Sequence, residues 1–369
     1  MDVVIVAGGR RTANSKLALL ILCSANLALV VAIAGGVTAV SDVLAPLTGH
    51  FMGIGLAASV ALLTRRLSAL ILGTLATFVV HAWLGLASCC QPPPAPVLNT
   101  ISLNQVPPTG LAHDLSVLAL NSWHEHGDPS RLSTYLAQVD IDLIVLSEFG
   151  PNKSSLLEPL KQGHPFQVSC AQEWSCSLAL LSRIPFESAG AGRIADGNLA
   201  FVWARLGGGV TVIGTHLHRP SRDPWRHDQQ MAELIQFIDR IPGPVILAGD
   251  LNTTPWSKTY RALRRGAGLV PARTLMPTWP AWPVPFPQVA LDHIFVSSDL
   301  TVSAAGTGPA VGSDHLPIWA IVQRPPSFDR GKAALRGFAS YSAPTQPDLR
   351  TQLLADLGGE HTGARNLRR

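Results

Sequence analysis

The chain has 369 residues, 47% of them hydrophobic and only 14% charged, against about 25% charged in an ordinary soluble domain. That balance excludes a chain disordered throughout, disfavours a simple cytosolic enzyme and points to membrane segments. A net charge of +4 with no long basic stripe excludes a dedicated nucleic-acid binder, and five cysteines are too few for a disulfide scaffold.

The apolar excess sits at the front. Residues 1–90 hold seven charged residues, and between Leu17 and Leu63 the only one is Asp42. Three apolar stretches, 17–37, 43–63 and 67–88, each approach the ~20 residues needed to cross a bilayer. They predict a membrane anchor of three transmembrane helices over residues 1–90. Gly49, Gly53, Gly55, Ala57 and Ala58 let the second helix pack closely on its neighbours. A cleaved signal peptide is the competing reading of the first stretch, with Arg10, Arg11 and Lys16 as its basic region. The stretch is long for that, and two similar ones follow. Arg10, Arg11 and Lys16 precede the first helix, and Arg65 and Arg66 fill the turn after the second. Basic flanks stay cytoplasmic, so three crossings put everything after Ser88 outside. Pro46 and His50 make the second helix the weakest span. His50 and His81 read as polar groups facing a neighbouring helix, or as intramembrane ligands.

Residues 91–113 form a linker, opened by Pro92, Pro93, Pro94 and Pro96, which reads as an extended spacer. Residues 114–325 alternate strand-like and helix-like patterns and predict an α/β domain. Strands are predicted near 115–120, 143–146, 178–181, 201–206, 210–215, 245–248, 290–296 and 318–322. Helices are predicted near 129–138, 224–240 and 256–264, with Asp223 capping the second. Residues 326–369 read as a poorly ordered tail, with seven Lys or Arg against four Asp or Glu. Cys23 lies in the first apolar stretch, and Cys89 and Cys90 end the third. Cys170 and Cys176 lie close together, either as two thiols or as a small disulfide loop in an oxidising compartment. Their spacing does not suit a zinc knuckle.

Apolar runs in this domain repeatedly end in a group that binds metal or moves a proton. The run from Leu118 ends in Asn121, that from Leu143 in Glu148, and that from Val212 in His216. The run from Val245 ends in Asp250 and Asn252, Asp292 starts a strand, and Asp314-His315 precedes the last one. Singly these signals say little, since Gly-Asp-x-Asn is commonly a turn. Together they say more. On one shared sheet rim Glu148, Asp250, Asp292 and Asp314 converge, and four close carboxylates repel unless a cation compensates. Oxygen ligands without cysteine favour a hard ion such as Mg²⁺. His216 and His315 complete a set suited to metal-assisted attack on phosphate.

Asn121, Ser-Glu148, Thr-His216, Gly-Asp250-Leu-Asn252, Leu-Asp292-His-Ile and Ser-Asp314-His315 resemble the ordered motifs of the endonuclease/exonuclease/phosphatase superfamily. The resemblance covers about 116–322, and as a whole the chain resembles bacterial membrane-tethered members. It implies a four-layer α/β sandwich, two packed mixed sheets with helices outside, here preceded by the three transmembrane helices. It implies Glu148 as main metal ligand, with Asn121 and Asp314 near the ion or the phosphate. Asp250 would align and deprotonate the attacking water, and Asn252 would hold a phosphate oxygen or orient Asp250. His315, its ring fixed by Asp292, would stabilise phosphoryl charge or protonate the leaving oxygen. His216 would donate to another phosphoryl oxygen. The implied cofactor is Mg²⁺, with Mn²⁺ or Ca²⁺ as alternatives.

Apurinic-site enzymes of this superfamily place a tyrosine in the mid-domain active site. Here the tyrosines are Tyr135, Tyr260 and Tyr341, and none falls between Phe166 and Phe201, which argues against DNA repair. His124 and His126 read as loop residues rather than extra ligands, and His218 is open. Trp279, Trp282 and Phe286 read as a proline-stiffened loop covering the core rather than a lip touching lipid.

The expected function is a membrane-anchored, divalent-metal-dependent phosphodiesterase or nuclease. Its expected substrates are a lipid phosphodiester or extracellular nucleic acid. Its expected place is a bacterial plasma membrane, multi-pass, with the catalytic domain periplasmic or extracellular. The bilayer is the implied partner; no protein partner is inferred. The alternative is a catalytically inactive, membrane-tethered interaction module of the same fold, against which the intact Asp250, Asn252, Asp314 and His315 speak. A calcineurin-type dimetal phosphatase would need a Gly-Asn-His-Glu/Asp segment that this chain lacks.

Overall fold

A computed structural model describes residues 17–27, 43–63, 74–76, 78–79, 114–125, 129–194, 199–281 and 288–323, all within one compact unit, Met1–Phe328. In the N-terminal region, residues 17–27 are helical. Pro46 sits in a 3-10 turn, Ala45–Leu47, that leads into helix α1, Thr48–Leu63. Pro46 is compatible with that first turn but not with a helix interior, so the helix starts five residues later than the apolar stretch. Its 16 residues span only about 24 Å at 1.5 Å each. No described helix is long and apolar enough to cross a membrane. The rest of the first stretch and most of the third lie outside the described residues, as do the 91–113 linker and the 326–369 tail. Leu22, Ala58 and Phe78 pack together. Gly55 permits this, because a Cβ there would lie 2.0 Å from the Phe78 ring.

The domain from Asp114 to Gln323 is built of two six-stranded sheets. The first runs β11-β12-β1-β2-β4-β3, with β1 Asp114–Asn121, β2 Leu143–Ser147, β3 Phe166–Ser169, β4 Leu178–Ser182, β11 Thr301–Thr307 and β12 Ile318–Gln323. The second runs β5-β6-β7-β8-β10-β9, with β5 Phe186–Ile194, β6 Leu199–Leu206, β7 Thr211–His216, β8 Val245–Asp250, β9 Leu269–Pro271 and β10 Asp292–Ser297. Each sheet has one parallel pair at its centre, β1 with β2 and β7 with β8, flanked by antiparallel neighbours.

Strand alternation assigns the layers. Val117, Ala119, Val145, Leu180, Val202, Val212, Ile246 and Ile294 face between the sheets. The opposite face of the first sheet, with Leu118, Leu120, Ile144 and Leu146, is covered by Leu132 and Leu136 of α2, Ser130–Gln138. That of the second, with Ile213, Leu247 and Phe295, is covered by α3, Pro224–Asp239, and α4, Lys258–Gly266. The central strands are therefore apolar on both faces, and read in sequence as unbroken apolar runs rather than alternating ones. The sheets pack tightly at Gly214, where a Cβ would lie 2.7 Å from Val145 Cγ1.

The expected central strands and three helices form. Asp223 caps α3, accepting from the Arg226 amide. The helix expected from 256 starts at Lys258, because Ser257 rather than an earlier residue accepts from the Tyr260 amide. The strand expected from 290 starts at Asp292, and Val289 before it forms a separate bridge to Trp279. Cys170 and Cys176 form a disulfide with Cα atoms 5.7 Å apart.

Candidate active site

The polar residues gather where β1, β2, β7 and β8 end and β10 begins. In the second sheet the register sets His216 opposite Asp250, and Asp292 opposite Asp250. In the first sheet Asn121 pairs with Ser147, so Glu148 follows at the same rim. Asn121 Nδ2 donates to Glu148 Oε1 at 3.0 Å and to Asp250 Oδ2 at 2.9 Å. This amide joins the rims of the two sheets into one site.

Local backbone shape makes the rim. Gly249 has φ +139°, and a Cβ there would lie 2.1 Å from the Thr215 carbonyl oxygen, so only glycine precedes Asp250. Trp123, Glu148 and Asn252 have φ of +55°, +52° and +46°. Left-handed non-glycine residues are uncommon and gather at functional sites.

On the Glu148 side, the His124 amide donates to Oε2 at 2.8 Å and the His124 ring contacts the same oxygen at 2.5 Å. His216 Nε2 lies 3.9 Å and Arg219 Nη2 3.5 Å from Oε1. Burial pushes the Glu148 carboxyl up, but His216, Asn121 and His124 outweigh it and hold it well below the usual carboxylate range. On the other side, His315 Nδ1 meets Asp292 Oδ2 at 2.7 Å, and Thr278 Oγ1 donates to that oxygen at 2.5 Å. Burial would lower the His315 ring, yet Asp292, Asp250 and Asp314 raise it to about 10. Burial would raise Asp292, and the His315 ring with Thr278 hold it low. Between the two sides, burial and the Asp292 charge push Asp250 up. Its neighbours there are His216 Nε2 at 3.6 Å and His315 Nε2 at 4.0 Å.

Asn252 extends the second side. Its backbone amide donates to Asp250 Oδ1 at 2.9 Å, and its Nδ2 to the Leu217 carbonyl at 2.9 Å, with His216 Nε2 at 3.2 Å. Asp314 is placed differently from the other carboxylates. Its Oδ2 accepts from the Trp279 indole at 3.2 Å, and it belongs to neither of the groups that gather ligand atoms. Those groups are Glu148, His216 and Asp250, and Asp250, Asp292 and His315, each with its ligand atoms within 4.8 Å of one another. The first is oxygen-rich with one imidazole and is mostly buried, and Asp292 Oδ1 is buried with no hydrogen-bond partner. This donor chemistry fits a hard divalent cation.

Sequence reasoning passed over several participants. His124, read as a loop residue, touches Glu148. Arg219 overhangs the same carboxylate. Lys153 is fully buried, and its ammonium reaches the Trp123 carbonyl at 2.8 Å and the Glu148 carbonyl at 3.2 Å. Ser313 Oγ donates to the Asn121 carbonyl at 2.6 Å. Their only signal was proximity in sequence to a motif. Trp279, read as core cover, bonds Asp314. His126, Trp282 and Phe286 lie outside the described residues.

Residues 118–315 match the sequence model of the endonuclease/exonuclease/phosphatase family. The chain belongs to that family. Its hydrolases act on phosphate esters and are generally dependent on divalent metals. No curated protein matches the chain by sequence. Among solved structures, the chain is similar to an endonuclease/exonuclease/phosphatase from Beutenbergia cavernae at 20% identity and TM-score 0.45, covering 57% of this chain and 72% of that one. It is similar to sphingomyelinase C from Streptomyces griseocarneus at 20% identity and TM-score 0.42, covering 56% and 99%. It is also similar to D. rerio TDP2, complexed with a single strand DNA product, at 18% identity and TM-score 0.46, covering 57% and 99%. In this family member the two packed mixed sheets carry the motif residues at one rim.

Proposed function

We propose that this protein is a Mg²⁺-dependent phosphodiesterase held at a membrane, with its catalytic domain on the outer side. The observation that carries the catalytic part is the Asn121 amide, bonded at once to Glu148 and Asp250. It brings an acidic, ion-competent pocket within reach of the Asp292–His315 pair.

In this reading Glu148 holds the ion, with Asn121 beside it, and Asp314 stands apart with its Oδ2 on the Trp279 indole. When bound, the ion offsets charge on the phosphoryl group. The chain's own groups do the rest. Asp250, raised by burial and by Asp292, orients the attacking water and accepts its proton. His315, cationic at neutral pH and turned by Asp292, compensates charge on the phosphoryl oxygens. His216 and Asn252 donate to a further phosphoryl oxygen. Positioning and charge compensation supply most of the rate in such a displacement.

Two features support the membrane placement. Leu20, Leu56 and Val79, each more than three-fifths exposed, lie on the three helical segments that pack through Leu22, Ala58 and Phe78. Such exposure suits lipid better than water. His50 Nε2 meets Gln288 Oε1 at 2.7 Å. This joins the catalytic domain to the end of α1 that the basic flanks assign to the outer side. A lipid phosphodiester is then the favoured substrate, since the anchor holds the site beside it.

The test is hydrolysis of a chromogenic phosphodiester by the full chain in detergent, with and without Mg²⁺, followed by lipid, DNA and RNA substrates. Asp250→Asn and His315→Ala should each lower the rate by about 10²–10⁴-fold. Equal rates in wild type and variants would reject the assignment of these residues, and no hydrolysis by the wild type would leave the inactive interaction module.

A further inference from the structure

The turn after β2 grips the loop after β1. Asn152 Nδ2 donates to the His124 carbonyl at 3.0 Å, and the next residue, Lys153, donates to the Trp123 carbonyl at 2.8 Å. The same ammonium also reaches the Glu148 carbonyl at 3.2 Å. Trp123 and Glu148 are both left-handed. They follow, by two residues and by one, the ends of the paired strands β1 and β2. Lys153 is fully buried, and its side-chain hydrogen bonds go to backbone carbonyls.

A buried ammonium is costly unless its donors are used well. Two unusual backbone conformations at the rim supply the use. Holding both carbonyls on one cation fixes the angle at which each chain leaves its strand. It thereby fixes the separation of the Asn121 amide from the Glu148 carboxylate. The His124 amide and ring, which meet Glu148 Oε2, belong to the gripped loop.

We propose that Lys153 is a positioning residue for the ion-holding carboxylate. Its ammonium ties the carbonyls of Trp123 and Glu148 together and so fixes the backbone from which Asn121 and Glu148 project. The proposal rests on the reading of Glu148 as a metal ligand and adds to it a residue that touches neither ion nor substrate.

Binding of Mn²⁺ to the full chain in detergent tests it, read without substrate by electron paramagnetic resonance of free Mn²⁺ and paired with a thermal melt. Lys153→Met should weaken Mn²⁺ binding by about 10–100-fold, the usual effect of losing a group that orients a ligand. Lys153→Arg, which keeps a cation with several donors, should recover binding to within about tenfold of wild type. A Met variant that melts early yet binds Mn²⁺ as wild type does would make Lys153 a structural residue only and overturn the proposal. Should the Met variant not fold, Lys153→Gln carries the same test: weakened binding supports the proposal, unchanged binding overturns it. A wild-type chain that binds no Mn²⁺ would instead overturn the metal reading, and the role of Lys153 with it. A wild type that binds, beside a Met variant that binds equally, removes Lys153 alone.

Discussion

His315 Nδ1 lies 2.7 Å from Asp292 Oδ2, and both side chains are almost wholly out of water. The carboxylate holds the ring in its charged form up to about pH 10. Replacing Asp292 by Asn keeps the shape and removes the charge. The His315 ring should then titrate at a lower pH than in wild type, as followed by its proton NMR signals. The rate at pH 8 should fall by about 10²–10⁴-fold. A ring that stays charged in the variant would separate the two residues functionally.

The same pair sets a pH window for stability. His315 has a folded value of about 10 against about 6.5 unfolded. Its contribution is full below about 6.5 and is lost as pH rises toward 10. Asp292 is held low, so its contribution is present above its unfolded value of about 3.9 and is lost as pH falls. The stability gap between wild type and Asp292→Asn, from urea midpoints, should be widest between about pH 4 and 6.5 and narrow above that.

Buried histidines away from the pair act in the opposite sense. Burial lowers His227, whose Nε2 meets the Leu251 carbonyl at 3.1 Å. The unfolded chain takes up that proton first, so stability from this group is full above about pH 6.5 and is lost on acidification. His227→Gln should flatten the fall in urea midpoint between pH 7 and pH 5.

Divalent ions should stabilise the chain as well as activate it. At a Mn²⁺ concentration of 100 times its dissociation constant the gain is about 2.7 kcal/mol, read as a higher melting temperature. Chelation should remove both the gain and the activity. Glu148→Gln should lose the Mn²⁺-dependent shift while keeping the melting temperature of the ion-free protein within a few degrees.

Gly249→Ala meets the Thr215 carbonyl oxygen head-on, at 2.1 Å from the new Cβ. Strain and clash together should cost about 3 kcal/mol or more. Asp250 should move with the backbone, so activity should fall even at temperatures where the variant is folded.

The amino-acid sequence by itself determined the interior of the catalytic domain. Strands β1, β2, β4, β6, β7, β8, β10 and β12 are interior strands of the two sheets. Most carry unbroken apolar runs, and their polar endings at Asn121, Glu148, His216 and Asp250 stand out against those runs. The strands that the sequence does not announce are β3, β5, β9 and β11, and these are the four sheet edges. Edge strands are half exposed and carry mixed residues, as in the Gly- and Ala-rich β5, so no period marks them. Tertiary structure alone decided which motif residues meet. Asn121 and Asp250 lie 129 residues apart and bond because two sheets stack, while Asp314 turns toward Trp279. Tertiary structure also drew Arg219 and His124, 71 and 24 residues away in sequence, to Glu148, since a side chain's partner across a packed interface leaves no trace in local spacing.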